Sequence, residues 1–241
     1  MRLVSFEGGF GRVEDGKVVP MGPSLLDWLA FGTQGIATGT PRPLAEVKLL
    51  APVPRPGKII CVGLNYRDHA KETGKAVPTE PILFPKFANS VVGRRASAVR
   101  AADALDHVAG YTCANDVSAR SLQFRSSQWL LGKAIDTFLP LGPYLVTADE
   151  VPDPQALGIR CLVNDEPRQD SSTSEMVFGV AELVSYTSRT LTLEPGDLLV
   201  TGTPAGVGMA ADPPRYLRAG DRMRVEIDGL GELENTVRAR P

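Results

Sequence analysis

Five short stretches of the chain hold residues whose types and spacing could do chemistry. In the first, Gly110-Tyr111-Thr112-Cys113-Ala114-Asn115-Asp116-Val117-Ser118-Ala119-Arg120-Ser121-Leu122-Gln123, an apolar strand ends in one acid set among small polar residues, which places a carboxylate at a site mouth. Asp116 is the candidate metal ligand, because magnesium-type ions take carboxylate oxygens and keep several waters. Taken alone it could equally be a strand-end aspartate bonding its own turn. Seventeen residues on comes Lys133 in Gly-Lys-Ala-Ile-Asp-Thr-Phe, and upstream is Lys86 in Leu-Phe-Pro-Lys-Phe. Both lysines adjoin apolar residues, where an ammonium is costly unless it meets an anion such as a carboxylate or enolate. The alternative for each is a lysine that snorkels to water. His69 and Glu72 lie three apart in a helical segment and share a face. A glutamate bonded to one imidazole nitrogen fixes the tautomer and raises the basicity of the other, as a general base requires; a solvated helix face would show the same spacing. The loop Thr201-Gly202-Thr203-Pro204-Ala205-Gly206-Val207-Gly208 permits close backbone approach to a ligand. Together these groups suggest a site for an anionic, oxygen-rich small molecule.

The elements that position these residues are mainly strands. Residues 1–20 read as short strands around turns, Asp15-Gly16 being a hairpin signal. Ser24 can cap a helix over 25–30. Prolines 41, 43, 52, 54 and 56 predict an extended connector, because proline fixes its own backbone and drives the preceding residue out of the helical region. A small N-terminal unit is therefore expected over 1–55, followed by the main domain over 56–241. Lys58–Leu64 reads as a buried strand, followed by a short helix from Asn65 or Asp68 that Gly74 ends. Further strands are predicted at Tyr144–Thr147, Ile159–Val163, Leu198–Thr201, Met223–Ile227 and Thr236–Arg238. One longer helix is predicted over Ser174–Thr190 from its apolar stripe. Many short strands with few helices argue for a mainly β fold with α insertions, an α+β chain rather than a doubly wound sheet. His107 reads as a strand-start residue, and Tyr66 as either a pocket border or a core tyrosine.

At 241 residues, 43% hydrophobic and 22% charged with a net charge of −2, the chain is a globular protein without the basic excess that nucleic-acid binding favours. No stretch approaches the roughly 18 uninterrupted apolar residues of a membrane span. The N-terminus meets Glu7 and two glycines too soon for a signal-peptide core. Cys61, Cys113 and Cys161 are odd in number and far apart, each in an apolar run, and read as buried free thiols of a reducing compartment. The expected location is the cytoplasm.

Together with Gly63-Leu64-Asn65-Tyr66-Arg67-Asp68-His69-Ala70-Lys71-Glu72, these segments resemble the fumarylacetoacetate hydrolase superfamily, from Lys58 to the C-terminus. The resemblance implies a mixed β-roll domain with a small N-terminal domain, in a homodimer. It implies a metal-dependent enzyme of aromatic or carboxylic-acid catabolism that acts on short 2-oxo or β-diketo acids. The expected reaction is C–C bond hydrolysis of an acylpyruvate-type substrate, with oxaloacetate-type decarboxylation and enol–keto isomerisation as alternatives. It assigns catalysis to His69 and Glu72 on a lid helix and to Lys133. Substrate contact falls to Lys86, Gln123, Thr203 and Tyr66, and Mg2+ or Mn2+ to Asp116. One piece is missing. The family carries a Glu-x-Glu strand that supplies the other metal ligands, whereas this chain passes directly from Gly93 to Arg94 with no acid between Pro81 and Ala102. Arg94, Arg95 and Arg100 add positive charge there. An internal deletion, an omitted stretch or a degenerate member would each produce this pattern, and the last would make the protein a non-catalytic 2-oxo-acid binder.

Overall fold

The computed structural model describes residues 1–31, 39–53, 56–86 and 98–239. The chain opens with β1 (Arg2–Phe6), β2 (Gly9–Glu14) and β3 (Lys17–Gly22), a meander whose second hairpin turns at Asp15 and Gly16, both with positive φ. Helix α1 (Leu25–Phe31) starts at Ser24, whose Oγ accepts from Asp27 N–H at 3.2 Å. The proline-rich segment is not a free connector. It returns to the meander as β4 (Arg42–Pro43) beside β3 and β5 (Leu49–Leu50) beside β1.

Strand β6 (Ile59–Gly63) is buried at every position. It lies between antiparallel β7 (Ile82–Lys86) and parallel β12 (Leu198–Val200), which explains its uninterrupted apolar sequence. Between β6 and β7 sits α2 (Arg67–Glu72), the carrier of His69 and Glu72. Next come β8 (Gly110–Ala114), two single-turn helices α3 (Arg120–Gln123) and α4 (Leu130–Lys133), and β9 (Leu141–Thr147). Strands β8 and β9 pair with each other, and β9 also pairs with β1 at Arg2↔Val146 and Leu3↔Leu145. Residues 1–55 and the later chain thus share one sheet, and Leu3, Phe10, Met21, Leu25 and Leu145 form one apolar cluster across it.

A four-stranded antiparallel sheet, in the order β11-β10-β13-β14, is built from β10 (Gly158–Val163), β11 (Glu166–Ser172), β13 (Arg222–Ile227) and β14 (Gly231–Thr236). Its apolar face meets β8 and β9 through Val225, Leu230 and Leu233 against Cys113 and Val146. Helix α5 (Val180–Ser188) covers β6, with Leu183 packed on Val62. The fold is mainly β with short α insertions, as the strand spacing predicts.

Three local expectations are corrected. The helix expected over Ser174–Thr190 is half that length, because Val177 N–H is captured by Asn65 O at 2.8 Å and Phe178 N–H by Asn65 Oδ1 at 2.9 Å, which keeps both residues out of the helix until Gly179. The strand expected at Thr236–Arg238 is Gly231–Thr236, set by its pairing with β13. His107 ends a 3-10 turn over Ala101–His107 rather than starting a strand. Among the described residues no helix is long and apolar enough to cross a membrane. The junction Gly93–Arg94 lies outside the described residues.

Candidate active site

The chemistry-bearing residues converge where β6, β7 and β8 end beside α2, α3 and α4. Asp116 follows β8, and its Oδ2 accepts from Lys133 Nζ at 2.6 Å. Its Oδ1 lies 2.8 Å from Lys86 Nζ. Lys86, at the end of β7, also donates to Phe138 O at 2.7 Å. Both lysine side chains are almost fully buried. Burial pushes the Lys133 ammonium below the ordinary lysine range, and its bond to Asp116 opposes that fall. The Lys133 ammonium also lies 5.2 Å from the Phe84 ring centroid, which stands edge-on to Trp129.

Gly132 explains how Lys133 arrives there. A Cβ at this position would lie 2.6 Å from Gln123 N and 2.7 Å from Ala119 O, so only glycine lets α4 sit directly on α3. Ala119 N–H donates to Gly132 O at 2.9 Å and ties the two turns. On α3, Arg120 Nη1 donates to Gln123 Oε1 at 2.9 Å, which leaves the Gln123 amide NH2 as a donor for a ligand. Arg120, among the cations here, is one that the sequence pattern alone did not single out as a site residue. Its place in a single turn between Asp116 and Gln123 is the signal that could have marked it.

The imidazole lies across the cavity. His69 Nδ1 is 3.0 Å from Glu72 Oε2, and Glu72 Oε1 accepts from Gly206 N–H at 2.7 Å. With Glu72 accepting, Nδ1 carries the proton and Nε2 the lone pair; no described residue bonds Nε2. Helix α2 is tied to its surroundings at its start. Tyr66 forms a β-bridge with Met176, Arg67 Nη1 donates to Met176 O at 2.8 Å, and Ser171 Oγ donates to Asp68 Oδ2 at 2.8 Å. Beneath it, buried Asn65 donates to Phe178 O at 3.0 Å and Thr201 O at 2.9 Å, joining the helix start to the glycine-threonine loop.

A cavity of about 340 Å³ is lined by His69, Glu72, Asp116, Arg120, Gln123, Lys133 and Thr203, with Phe84 and Trp129 as apolar wall. It adjoins an open cavity of about 1690 Å³ that shares Asp116, Arg120, Lys133 and Thr203. Thr203 Oγ1 accepts from Gln169 Nε2 at 2.9 Å. Lys86 and Tyr66, expected to contact substrate, line neither cavity: Lys86 is turned to Asp116, and Tyr66 is 1% exposed. Arg100 is exposed and paired with Asp103 at 2.6 Å. All three cysteines are free, but only Cys61 and Cys113 are buried, while Cys161 is half-buried at the larger cavity. Burial raises the three thiols, Cys61 and Cys113 to about 12 and Cys161 to about 11, so none is primed as a thiolate.

The family description "Fumarylacetoacetate (FAA) hydrolase C-terminal" matches residues 91–238, and "Rv2993c-like, N-terminal" matches residues 1–52. The chain belongs to the fumarylacetoacetate hydrolase family. It is 46% identical to the mitochondrial oxaloacetate tautomerase FAHD2A of Bos taurus over 237 residues, covering 87% of this chain and 76% of that protein. Its fold superposes on the fumarylacetoacetate hydrolase of Exiguobacterium antarcticum with a TM-score of 0.88 and 35% identity, covering 100% of both chains. It also superposes on the maleylpyruvate hydrolase of Sphingobium sp. SYK-6 in complex with manganese(II) and pyruvate, with a TM-score of 0.80, 30% identity and 99% of both chains covered. As a member of this family the chain is an enzyme. The bovine match spans 237 positions but takes up 87% of this chain, about 210 of its 241 residues, so about 27 positions are filled by the relative alone.

Superfamily members bind divalent metals, and the residues present here were expected to include one such ligand in Asp116. They do not fit the ion. Both Asp116 oxygens face ammonium groups, and among the described residues no three His, Cys, Asp or Glu side chains gather as a ligand set.

Proposed function

We propose that this enzyme interconverts the enol and keto forms of a short 2-oxo dicarboxylic acid of the oxaloacetate class. The observation that carries the reading is the His69–Glu72 contact at 3.0 Å, set across one cavity from Lys133. His69 Nε2 removes the proton from the carbon next to the 2-oxo group. The electron pair moves onto the oxygen, where the Lys133 ammonium stabilises the developing enolate. The imidazolium then returns the proton to that oxygen and completes the enol; the reverse sequence gives the keto form. Arg120 and the Gln123 amide hold the ligand carboxylates, and Thr203 borders them. The 46% identity to a protein named oxaloacetate tautomerase supports this choice.

C–C hydrolysis of an acylpyruvate is the second reading, supported by the likeness to a maleylpyruvate hydrolase with pyruvate bound. The same imidazole would activate water, but the reaction must also stabilise a tetrahedral oxyanion, a heavier demand on the cations present. Oxaloacetate decarboxylation needs the enolate stabilisation without the water. The proposed setting is the cytoplasm, supported by three free cysteines, and the proposed assembly is a homodimer.

Enol-oxaloacetate freshly dissolved in aprotic solvent and diluted into enzyme separates these reactions. Loss of the enol absorbance faster than the spontaneous rate, without pyruvate release, is the expected result. Pyruvate from oxaloacetate would indicate decarboxylation, and pyruvate from an acylpyruvate would indicate hydrolysis. Binding of oxalate without any of these reactions would make the protein a 2-oxo-acid binder.

A further inference from the structure

Among the described residues, no His, Cys, Asp or Glu set gathers with Asp116 as metal ligands. The residues outside the described set, 32–38, 54–55, 87–97 and 240–241, contain no His, Cys, Asp or Glu, so they add no such side chain to it. Placing a divalent ion on Asp116 would also require displacing Lys133 at 2.6 Å and Lys86 at 2.8 Å, two buried ammonium groups whose carboxylate partner is Asp116. The ion would then stand among like charges in a poorly screened site. An anion meets the opposite balance. Lys75, Arg120 and Lys133 line the smaller cavity against only Glu72 and Asp116, and Lys86 stands on the far oxygen of Asp116.

We propose that this pocket binds a short dicarboxylate directly, without a divalent metal, Lys133 and Arg120 contacting the ligand while Asp116 and Lys86 hold Lys133 in position. The inference rests on this pocket being the substrate site, as the proposed function has it. The position that a metal ion would take is filled by the ammonium groups, and ligand charge is neutralised by side chains. A buried, preorganised ammonium needs no reorganisation when the ligand arrives. Two cations on separate turns, Arg120 on α3 and Lys133 on α4, suit a ligand with an anionic group at each end. Arg120 offers a planar fork to a carboxylate, and Lys133 a point charge to an oxygen.

Oxalate is the probe, titrated calorimetrically into protein kept in excess EDTA. Binding is expected under these conditions, and Lys133→Met or Arg120→Gln, each checked for fold by circular dichroism, should weaken it roughly tenfold or more, as expected for loss of a charge-assisted bond. Asp116→Asn should weaken oxalate binding in EDTA less than Lys133→Met does, because Lys133 loses its holding partner but keeps its charge. In parallel, the electron paramagnetic resonance signal of free Mn2+ should be undiminished by the protein. Oxalate binding that appears only on adding Mg2+ or Mn2+, or Mn2+ uptake that Asp116→Asn abolishes, would overturn the proposal while leaving tautomerase activity to stand. Binding in EDTA with no catalysis would support it and sink the proposed reaction instead. Failure to bind oxalate with or without metal would overturn the assignment of the pocket itself.

Discussion

Lys133 and Asp116 meet at 2.6 Å, with Lys86 on the opposite carboxylate oxygen at 2.8 Å, so one acid holds two buried ammonium groups at the end of β8. Desolvating three charges is costly, and the arrangement persists only because each has a close partner. That makes the cluster sensitive to loss of any one member. It also connects three distant stretches of sequence, β7, the β8 end and α4, at the cavity that His69 faces.

His69→Asn should reduce tautomerisation of oxaloacetate by about 10² to 10⁴, the usual range for losing a general base. Glu72→Gln should produce a smaller loss, since an amide can still accept from Nδ1 but does not stabilise the imidazolium. Steady-state kinetics with enol-oxaloacetate would check both. Wild-type turnover in His69→Asn would remove the imidazole from the mechanism.

Much of this arrangement was legible before any coordinates, because short-range chemistry set it. The β1–β3 meander follows from Asp15-Gly16 and alternating apolar residues, α1 from Ser24, and the fully buried β6 from its unbroken apolar run. What was not legible depends on partners far away in sequence. Strand β11, Glu-Pro-Arg-Gln-Asp-Ser-Ser, has almost no apolar residue and is a strand only because β10 pairs with it. Val177 and Phe178 of the expected 174–190 helix are bound instead by Asn65, more than a hundred residues earlier. At the site, the residue types at Asp116, Lys133, His69 and Glu72 were readable as chemistry. That Lys86 serves Asp116 rather than a ligand, and that Trp129 and Phe84 wall the cavity, required the fold.

Asn65 should be the most stability-critical polar side chain near the site. It is fully buried, accepts from Phe178 N–H, and donates to Phe178 O and Thr201 O. Asn65→Ala takes this partner from two buried backbone groups of Phe178, each worth about 1–3 kcal/mol when unsatisfied, and from the part-buried Thr201 O. A loss of about 3 kcal/mol or more in urea unfolding is expected, together with weaker oxalate binding because α2 and the Thr201–Gly208 loop lose their common anchor. A change within about 0.5 kcal/mol, the usual range for a surface substitution, would show that water replaces the side chain without cost.

Alkaline pH should destabilise the fold through its thiols. The Cys61 thiol ionises near 9.0 in the unfolded chain but is held to about 12 by burial, so above pH 9 the unfolded state releases a proton that the native state keeps. The contribution is fully present below pH 9 and is lost as pH rises from 9 to about 12. Cys113, at about 12, and Cys161, at about 11, act in the same direction. Lys133 acts oppositely: its folded value is lowered, so stability rises with pH between that value and the ordinary 10.5. The raised thiols, together with raised Tyr66, Tyr111 and Lys58, outweigh the one lowered lysine and leave a net loss. Cys61→Ala should flatten the slope of stability against pH by up to about 1.4 kcal/mol per pH unit in this window, whatever its effect at neutral pH. An unchanged slope in urea titrations across pH 9–11 would assign the alkaline transition elsewhere.

Gly206→Ala should separate the positioning of Glu72 from its chemistry. Gly206 has a φ of +100°, a conformation that side chains rarely adopt, and a Cβ there would lie 1.8 Å from Arg168 O. The nearest atoms are all backbone of Arg168 and Gln169, with no flexible side chain to move aside, so the loop must shift. The cost combines the left-handed strain of about 1 kcal/mol with the displacement of the loop from β11. The first bond to go is Gly206 N–H to Glu72 Oε1 at 2.7 Å, after which Glu72 is held only through His69. The expected result is a fall in kcat of the same order as for Glu72→Gln. Oxalate binding, which depends on Lys133 and Arg120, should change far less. If oxalate affinity falls in parallel with kcat, the loop shapes the whole cavity rather than the His69–Glu72 pair, and the assignment of Gly206 as the anchor of Glu72 fails.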